Sequence, residues 1–261
     1  MIPKTIHYCW FGGGEKSKLL KKCIRSWMKI CPDYHIVEWN EDNFDLAQAP
    51  DYVRQAYDAK KWAFVSDYAR LKIVYENGGI YLDTDVELLR PLTAFLKYTA
   101  FFGTESPEIV STGLGFGAVK GADVLQRIMQ RYDSIDFDPE NVLACPYIDT
   151  PAFENMGWKK DGTKQVLGGN VLVLSPEYLC PKALMTGIVN LTPNTYAIHH
   201  YTATWQTRQN RDFHDKQVRH NRRMIAIEYI VHIPNRILRT CLGITNYEKL
   251  KSTLKRFVKH N

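Results

Sequence analysis

Residues 78–85 read Gly78-Gly79-Ile80-Tyr81-Leu82-Asp83-Thr84-Asp85, and this stretch decides the fold. It follows residues 61–76, whose apolar spacing predicts a helix that the two glycines terminate. Residues 80–82 predict a short buried strand that runs directly into two carboxylates. Because α/β proteins bind ligands beyond the carboxyl ends of their strands, we expect Asp83 and Asp85 to lie at such an edge. Hard oxygen donors in that place favour Mg²⁺ or Mn²⁺ carrying a diphosphate.

The flanking sequence predicts an alternation of strands and helices. Strand patterns at residues 5–10 and 34–39 enclose a helix over residues 17–30 with Ser17 as its N-cap, which predicts a parallel sheet with a right-handed crossover. Further strands are predicted at residues 100–103, 114–119, 171–175 and 196–200, with a helix at 123–131. The alternation continues to about residue 205. The sequence therefore predicts an α/β catalytic domain over residues 1–205 and a helical tail over residues 206–261.

Composition and charge limit the function classes. The chain has 261 residues, 45% hydrophobic and 24% charged, which excludes a disordered chain, a collagen-like repeat and a disulfide scaffold. The net charge of +6 is uneven, because residues 206–261 hold 13 basic and 4 acidic side chains whereas residues 1–205 hold 21 and 24. The tail alternates these charges with an apolar stripe of Tyr247, Leu250, Leu254, Phe257 and Val258. It is therefore interpreted either as an interfacial helix on an anionic membrane or as a solvated helix packed on the body; nucleic acid is disfavoured.

The chain carries no sign of export or membrane insertion. The start at residues 1–4 lacks the apolar core of a signal peptide, and no apolar run is long enough to span a bilayer. Its six cysteines form no CxxC pair, which is typical of reduced thiols in a cytosolic protein. We expect a cytoplasmic protein whose tail could meet the inner face of the cytoplasmic membrane.

Three motifs in order resemble a known family. Residues 6–13 (Ile6-His7-Tyr8-Cys9-Trp10-Phe11-Gly12-Gly13), 66–70 (Ser66-Asp67-Tyr68-Ala69-Arg70) and 77–85 resemble the D-x-D sugar-transferase family. That family includes capsular-polysaccharide glycosyltransferases, yeast initiating mannosyltransferases and the catalytic domains of large clostridial glucosylating toxins. The resemblance covers residues 2–205. It implies a GT-A (Rossmann-like) fold, a nucleotide-sugar donor, a divalent metal and retention of anomeric configuration.

The resemblance also implies roles for individual residues. Asp67 and Arg70 would contact the donor hexose and its diphosphate side, Asp83 the ribose and a metal-bound water, and Asp85 the metal directly. Trp10 would stack on the base, with Tyr8 nearby. From the residues alone, an intrahelical ion pair three positions apart explains Asp67 and Arg70 better than a donor contact, and the core explains Trp10 better than a base platform. The presence of Asp83 and Asp85 favours the donor contact for Asp67 and Arg70.

A third metal ligand is expected from residues 197–205, which resemble the family segment where a metal-binding residue precedes a Trp by five positions. That spacing selects His200, with Trp205 on the diphosphate, and an imidazole ligand favours Mn²⁺ over Mg²⁺. Because neighbouring strand residues point to opposite faces, only one of His199 and His200 should reach the ion. Ala203 replaces a serine of the toxins, a departure for which Thr202 or Thr204 could compensate.

These features favour a retaining hexosyltransferase that uses a nucleotide sugar, with UDP-sugar preferred, to extend a capsular or surface glycan. The glycine-dense residues 111–117 predict close approach of backbone to a sugar, and loops at residues 146–153 and 167–170 could shape the acceptor pocket. Two alternatives stay open. One is an Mg²⁺-dependent phosphohydrolase with Asp83 as nucleophile, and the other a non-catalytic sugar-binding protein at a membrane surface.

Overall fold

The computed structural model describes residues 1–140, 143–202, 208–232 and 240–259, with the side chains of 208, 230–232 and 254–259 left out. The chain divides into two compact units, residues 1–182 with 189–205 and residues 183–188 with 206–261. The first unit carries all of the described strands. The assignment of residues 1–205 as the catalytic domain stays a prediction.

The first half of the larger unit contains four strands and three helices. In chain order they are β1 Thr5–Cys9, α1 Lys18–Ile30, β2 His35–Trp39, α2 Asp51–Asp58, α3 Trp62–Asn77, β3 Gly79–Tyr81 and β4 Val86–Leu88. Ser17 caps α1 as predicted, because its side chain accepts a hydrogen bond from the Leu20 backbone amide. Gly78 ends α3 with a φ of 69°, which a glycine adopts without strain. The sequence did not indicate α2 or β4.

The second half of this unit adds five strands and three helices. They are β5 Ala100–Ser106, β6 Ile109–Ala118, α4 Asp123–Tyr132, α5 Cys145–Glu154, β7 Gln165–Leu167, β8 Val171–Leu174, α6 Pro176–Leu179 and β9 Ala197–His199. The prediction of a loop over residues 146–153 is wrong, since α5 occupies that stretch. Two prolines and a run without clear apolar periodicity hide this helix in the sequence.

The mixed α/β fold predicted from the sequence is confirmed. Seven strands form one sheet in the order β2-β1-β3-β6-β5-β8-β7. β1 pairs in parallel with β2 and β3, as the opening predicted, but β6 runs antiparallel to both β3 and β5. The sheet is therefore mixed, and the parallel pairing predicted from the first two strands holds for β1 with β2 and β3. Because β8 is parallel to β5, the strands β1, β3, β5 and β8 all end at one edge.

A second, two-stranded sheet supports that edge. β4 pairs antiparallel with β9, with Val86 opposite His199, and the His200 amide donates to the Asp85 carbonyl at 3.0 Å. Trp27 of α1 is fully buried beneath this sheet and donates from Nε1 to the Val86 carbonyl at 2.7 Å. A pairing 113 residues apart in sequence thus places residues 199–202 beside residues 83–86.

Apolar clusters cover both faces of the large sheet. Phe101 and Phe102, neighbours on β5, are both fully buried and belong to different clusters. α3 is buried almost all round, with Val65, Leu71 and Val74 inaccessible to solvent. The helix that carries Asp67 and Arg70 is consequently part of the core.

The smaller unit contains α7, Arg208–His232, and α8, Ile244–Lys259. Arg222 of α7 donates from Nε to the Thr186 carbonyl and from Nη2 to the Gly187 carbonyl, both at 2.6 Å. Tyr247 of α8 is buried, whereas Tyr229 and Ile244 are exposed. Among the helices of the described ranges, none has both the length and the apolar character needed to cross a bilayer.

Replacing Gly79 with alanine should destabilise the protein. Gly79 has a φ of 111°, and an added Cβ would lie 2.8 Å from His7 Nε2 and 2.9 Å from the Thr5 carbonyl oxygen. The backbone strain and the overpacking together should lower the free energy of unfolding by about 2–4 kcal/mol, measured by urea denaturation. Gly168→Ala is the matched control, because its Cβ would meet nothing within 4 Å. A Gly79→Ala variant as stable as this control would contradict the described packing.

Candidate functional site

Asp83 and Asp85 lie at the shared strand edge, as expected from the sequence. The Leu82 amide donates to the His7 carbonyl at 3.1 Å and so continues the pairing of β3 with β1 up to the first carboxylate. The Val86 amide donates to the Asp83 carbonyl at 2.9 Å, which turns the chain into β4. Ligand atoms of Asp83, Asp85 and His199 all lie within 4.8 Å of one another. The edge therefore gathers two carboxylates and one imidazole.

Asp85 is held as an anion by its neighbours. Its Oδ2 accepts hydrogen bonds from the Thr202 amide at 2.8 Å and the Thr202 hydroxyl at 2.9 Å, and its Oδ1 lies 3.2 Å from His199 Nε2. Burial opposes ionisation of this carboxyl, but the His199 charge and the three hydrogen bonds outweigh burial and lower the pKa of Asp85. Asp85 consequently presents a fixed carboxylate.

The structure selects His199 where the sequence selected His200. His200 Nε2 bonds Glu87 Oε2 at 2.9 Å, and Glu87 is also paired with Lys22 at 2.8 Å. His199, the last residue of β9, pairs with Val86, which follows Asp85. Its ring therefore lies beside the carboxylates of Asp83 and Asp85. Only one histidine of the pair reaches them, as strand alternation predicts, but the choice of His200 is corrected. The prediction of His200 depends on its spacing from Trp205, which lies outside the described residues.

Arg70 joins the D-x-D segment to α3. It forms ion pairs with Asp67, one helical turn earlier, and with Asp83 at 3.4 Å. Its guanidinium carbon lies 5.4 Å from the centre of the Tyr81 ring, and the Tyr81 hydroxyl donates to Asp83 Oδ1 at 2.9 Å. Burial raises the pKa of Asp83 although Arg70 acts in the opposite direction. Tyr81 was not among the predicted site residues; the available signal was its position two residues before Asp83, at the end of β3.

Gly113 of β6 lets the backbone approach these charged groups. A Cβ at this position would lie 2.9 Å from Asp83 Oδ2 and 3.2 Å from Arg70 Nη1. The glycines at 115 and 117 instead make room for Leu82 and Phe101. The glycine-dense stretch thus serves close packing, and within the described residues only Gly113 among these three approaches the candidate site.

Cys145 and Asp149 of α5 lie behind Arg70. Cys145 Sγ is 3.9 Å from Arg70 Nη2. Asp149 is fully buried, and its Oδ2 accepts from the Thr112 hydroxyl at 2.7 Å and more weakly from the Thr112 amide at 3.4 Å. Burial raises the pKa of Asp149 to about 6. Neither residue was predicted as part of the site, because the sequence predicts a loop where α5 lies.

Tyr8 and Trp10 lie at the carboxyl end of β1, at the same edge. Tyr8 is buried and donates from its hydroxyl to Glu38, and its ring packs against Trp27 with centroids 5.5 Å apart. Trp10 is half-buried, and the Lys16 ammonium lies 4.9 Å from its ring centre while bonding Glu38 at 3.0 Å. Trp10 therefore has the exposure that a base platform needs, whereas Tyr8 is mostly a packing residue.

The donor set fits a divalent cation. Two carboxylates and one imidazole converge from three positions, a combination that Mn²⁺ accepts readily and Mg²⁺ less so. The Nδ1 atom of His199 is buried and has no hydrogen-bond partner among the described residues. The Nε2 atom faces Asp85 and is therefore the nitrogen of this ring that could bind a cation.

Two curated proteins are similar to this chain. One is inositol phosphoceramide mannosyltransferase 3 of Schizosaccharomyces pombe, 29% identical over 164 residues, or 60% of this chain and 45% of that protein. The other is a glycosyltransferase of Acanthamoeba polyphaga mimivirus, 34% identical over 112 residues, or 39% of this chain and 43% of that protein. The chain thus spans less than half the length of these relatives.

Solved structures show weaker similarity. The PaToxG glycosyltransferase has 16% identity and a TM-score of 0.47, covering 59% of this chain and 68% of that one. A glycosyltransferase involved in glycosylation of the PBCV-1 major capsid protein has 16% identity and a TM-score of 0.43, covering 80% and 98%.

The match to a protein family falls on the segment that carries most of the site. Residues 17–102 match the family described as the glycosyltransferase sugar-binding region containing the DXD motif. Asp67, Arg70, Asp83 and Asp85 all lie inside this match, and His199 lies outside it. The resemblance noted in the sequence is confirmed, and residues 17–102 are the part of the chain that is similar to this DXD-containing sugar-binding region.

Proposed function

We propose that this chain is a retaining, divalent-metal-dependent glycosyltransferase. It moves a hexosyl unit from a nucleotide sugar, with UDP-sugar favoured, to a glycan or lipid-linked glycan acceptor in capsular or surface polysaccharide synthesis. The observation that supports this best is the convergence of Asp83, Asp85 and His199 at the strand edge beside buried Arg70. The DXD match over residues 17–102 supports the reaction class.

In this proposal Asp83, Asp85 and His199 hold Mn²⁺ or Mg²⁺, which would offset the negative charge that develops on the leaving diphosphate. Thr202 keeps Asp85 oriented through two hydrogen bonds, so the carboxylate needs no rearrangement when the donor binds. No protein carboxylate has to act as a strong base, because the departing phosphate can take the proton of an acceptor hydroxyl that attacks from the same face.

Arg70 would contribute a second positive charge at the sugar–phosphate bond. Its guanidinium is buried and is fixed by Asp67, by Asp83 and by the Ser66 carbonyl at 3.2 Å. A charge fixed before the reaction stabilises the transition state without the cost of reorganising solvent. Asp67 would accept a hexose hydroxyl beside it. Trp10 stays the proposed platform for the base, and Tyr8 and Trp205 stay proposed donor contacts.

Asp85→Ala tests the proposal directly. In the wild-type protein, Mn²⁺ with UDP should raise the melting temperature, because a ligand that binds only the native state stabilises it by mass action. A panel of nucleotide sugars identifies the donor, and nucleotide release is then measured with and without a glycan acceptor. Asp85→Ala should abolish the thermal shift and lower turnover by about 100-fold or more. The control is Ala at Asp133, an exposed aspartate at the end of α4.

The product that is released distinguishes the proposed transferase from the two alternative functions. Acceptor-dependent release of the nucleoside diphosphate supports the transferase. Release of inorganic phosphate would instead support the phosphohydrolase, and binding without any release would support a sugar-binding protein. Full turnover by Asp85→Ala would refute the role of this carboxylate.

Gly113→Ala should impair activity without unfolding the protein. The added Cβ would lie 2.9 Å from Asp83 Oδ2 and 3.2 Å from Arg70 Nη1, so the ends of these two side chains must shift by a few tenths of an ångström while the backbone of the sheet stays in place. Displacing groups that align the donor by about 1 Å can lower kcat/KM by about 100-fold. The melting temperature should stay close to that of Gly168→Ala, whose activity should equal the wild type. Wild-type activity in Gly113→Ala would show that the two side chains need not keep these positions.

The cationic tail is proposed to bind the anionic inner face of the cytoplasmic membrane, where lipid-linked acceptors would be presented. On α7, the basic side chains of Arg219 and Arg223 are exposed, and so are the apolar side chains of Ile225 and Tyr229. This mixture of cationic and apolar groups suits the surface of an anionic bilayer.

Vesicle sedimentation of the full chain tests the membrane proposal. The protein should pellet with phosphatidylglycerol-containing vesicles more than with phosphatidylcholine vesicles. Each basic residue contributes about 1 kcal/mol at such a surface, so Arg219→Ala with Arg223→Ala should weaken binding about 30-fold. The control pair is Lys18→Ala with Lys29→Ala, two exposed lysines of α1. Equal pelleting with both lipids would contradict the proposal.

A further inference from the structure

Strand β6 carries a large irregularity beside the candidate site. Phe116 of β6 pairs with Phe102 of β5. The next pair along the two strands joins Ser111 to Gly103, so one step along β5 corresponds to five steps along β6. Within the described sheet, residues 112–115 therefore form a bulge that has no paired residues on β5 or on β3. Bulges beside active sites commonly redirect the groups that they carry.

The bulge lies directly against the D-x-D segment and Arg70. A Cβ on Gly113 would lie 2.9 Å from Asp83 Oδ2 and 3.2 Å from Arg70 Nη1. A Cβ on Gly115 would lie 2.7 Å from Leu82 Cδ2. Only a backbone without side chains can come this close to its neighbours. The position of the bulge therefore limits where the carboxylate of Asp83 and the guanidinium of Arg70 can lie.

Helix α5 binds β6 at the point where the bulge begins. Asp149 Oδ2 accepts hydrogen bonds from the Thr112 hydroxyl at 2.7 Å and from the Thr112 amide at 3.4 Å. Both side chains are inaccessible to solvent. The hydroxyl of Thr150, the next residue of α5, accepts from the Val110 amide at 3.1 Å. Two consecutive side chains of the helix thus hold the strand on the side from which the bulge starts.

The same helix also borders the guanidinium of Arg70. Cys145 Sγ lies 3.9 Å from Arg70 Nη2, and Cys145 precedes Asp149 by four residues, which places both on one face of the helix. The other terminal nitrogen, Nη1, faces the bulge at Gly113. The two ends of the guanidinium therefore lie against the two elements that Asp149 joins.

A role in stability alone explains Asp149 poorly. Its second oxygen, Oδ1, is buried and has no hydrogen-bond partner among the described residues. A buried carboxyl group with one unpaired oxygen is costly, and two apolar side chains of similar shape in place of Asp149 and Thr112 would avoid that cost. Such departures from the rules of core packing are expected where a residue serves function.

We propose that Asp149 is a positioning residue for Arg70 and Asp83. By binding Thr112 it fixes the bulge of residues 112–115, and the bulge in turn fixes the ends of the two charged side chains. Asp149 itself contacts neither the donor nor the cation in this role. The inference rests on the proposed function, because it assumes that Arg70 and Asp83 align a sugar diphosphate.

Turnover of the full chain tests this role, with the nucleotide sugar that the thermal-shift panel identifies. Asp149→Ala should lower kcat/KM by about 10-fold or more, because misplacing aligned groups by about 1 Å can cost about 100-fold. Asp149→Asn should recover most of the loss, since an amide oxygen accepts the same hydrogen bonds. Ile128→Val, a core change on α4, is the control for lost stability and should keep the wild-type kcat/KM.

A combined variant separates positioning from a merely structural effect. Gly113→Ala displaces the same two charged side chains directly. If Asp149 acts through the bulge, adding Asp149→Ala to Gly113→Ala should lower kcat/KM little further, because both changes disturb one interaction. An effect of Asp149→Ala through stability alone would instead multiply with that of Gly113→Ala.

Hydrogen exchange follows the bulge without relying on activity. Measured by mass spectrometry, peptides that cover residues 110–117 should exchange faster in Asp149→Ala than in the wild type, and at the wild-type rate in Asp149→Asn and Ile128→Val. Mn²⁺ with UDP should still raise the melting temperature of Asp149→Ala, because Asp85 keeps its two hydrogen bonds to Thr202.

The outcomes distinguish failure of this inference from failure of the proposed function. Suppose that the wild type transfers sugar and Asp85→Ala does not. Wild-type kcat/KM in Asp149→Ala, or unchanged exchange of residues 110–117, then overturns the positioning role and leaves the metal site standing. If the wild type shows neither turnover nor binding of Mn²⁺ with UDP, the proposed function fails and the positioning role fails with it.

A second variant decides the matter if Asp149→Ala does not fold. Thr112→Val removes the shorter of the two hydrogen bonds from the side of β6. It should lower kcat/KM to a similar extent and speed the exchange of residues 110–117. Wild-type turnover in Thr112→Val would overturn the inference.

Discussion

A buried guanidinium is the group around which the rest of the site is organised. Arg70 lies inside the core on a helix that is covered on nearly all sides, where an isolated charge would be very costly. Asp67 and Asp83 supply the opposite charges, one from the same helix and one from the end of β3. Removing either carboxylate would leave the buried guanidinium with one counter-charge instead of two. The fold and the candidate chemistry therefore depend on the same three side chains.

The second constraint is the pairing of β4 with β9. This pairing places residues 199–202 beside the segment that contains Asp85. A hydrogen bond from Trp27 of α1 to the Val86 carbonyl connects the two strands to the helix. Three hydrogen bonds from His199 and Thr202 then define the position of one carboxylate. The candidate metal site is thus assembled from two distant parts of the chain, only one of which belongs to the DXD region.

Several features of the fold and of the candidate site could be predicted from local sequence. The caps of α1 and α3, the strand before Asp83, and the common helix face of Asp67 and Arg70 depend on neighbouring residues alone. The choice between His199 and His200 could not, because it is decided by the register between strands 113 residues apart. The direction of β6 could not be predicted, because it depends on the hairpin that β6 forms with β5. The helix α5 was not predicted, because the proline in its first turn is typical of a loop.

The contact of Lys16 with Trp10 bears on the proposed stacking of a base on this indole. One face of the indole is already occupied by an ammonium group that Glu38 also holds. A planar ring arriving on that face exchanges places with a cation whose attraction to an indole is worth about 0.5–1 kcal/mol at an exposed site. If a nucleotide base stacks on Trp10 as proposed, its affinity for this face would be the difference between two aromatic contacts, which would disfavour rings that stack weakly.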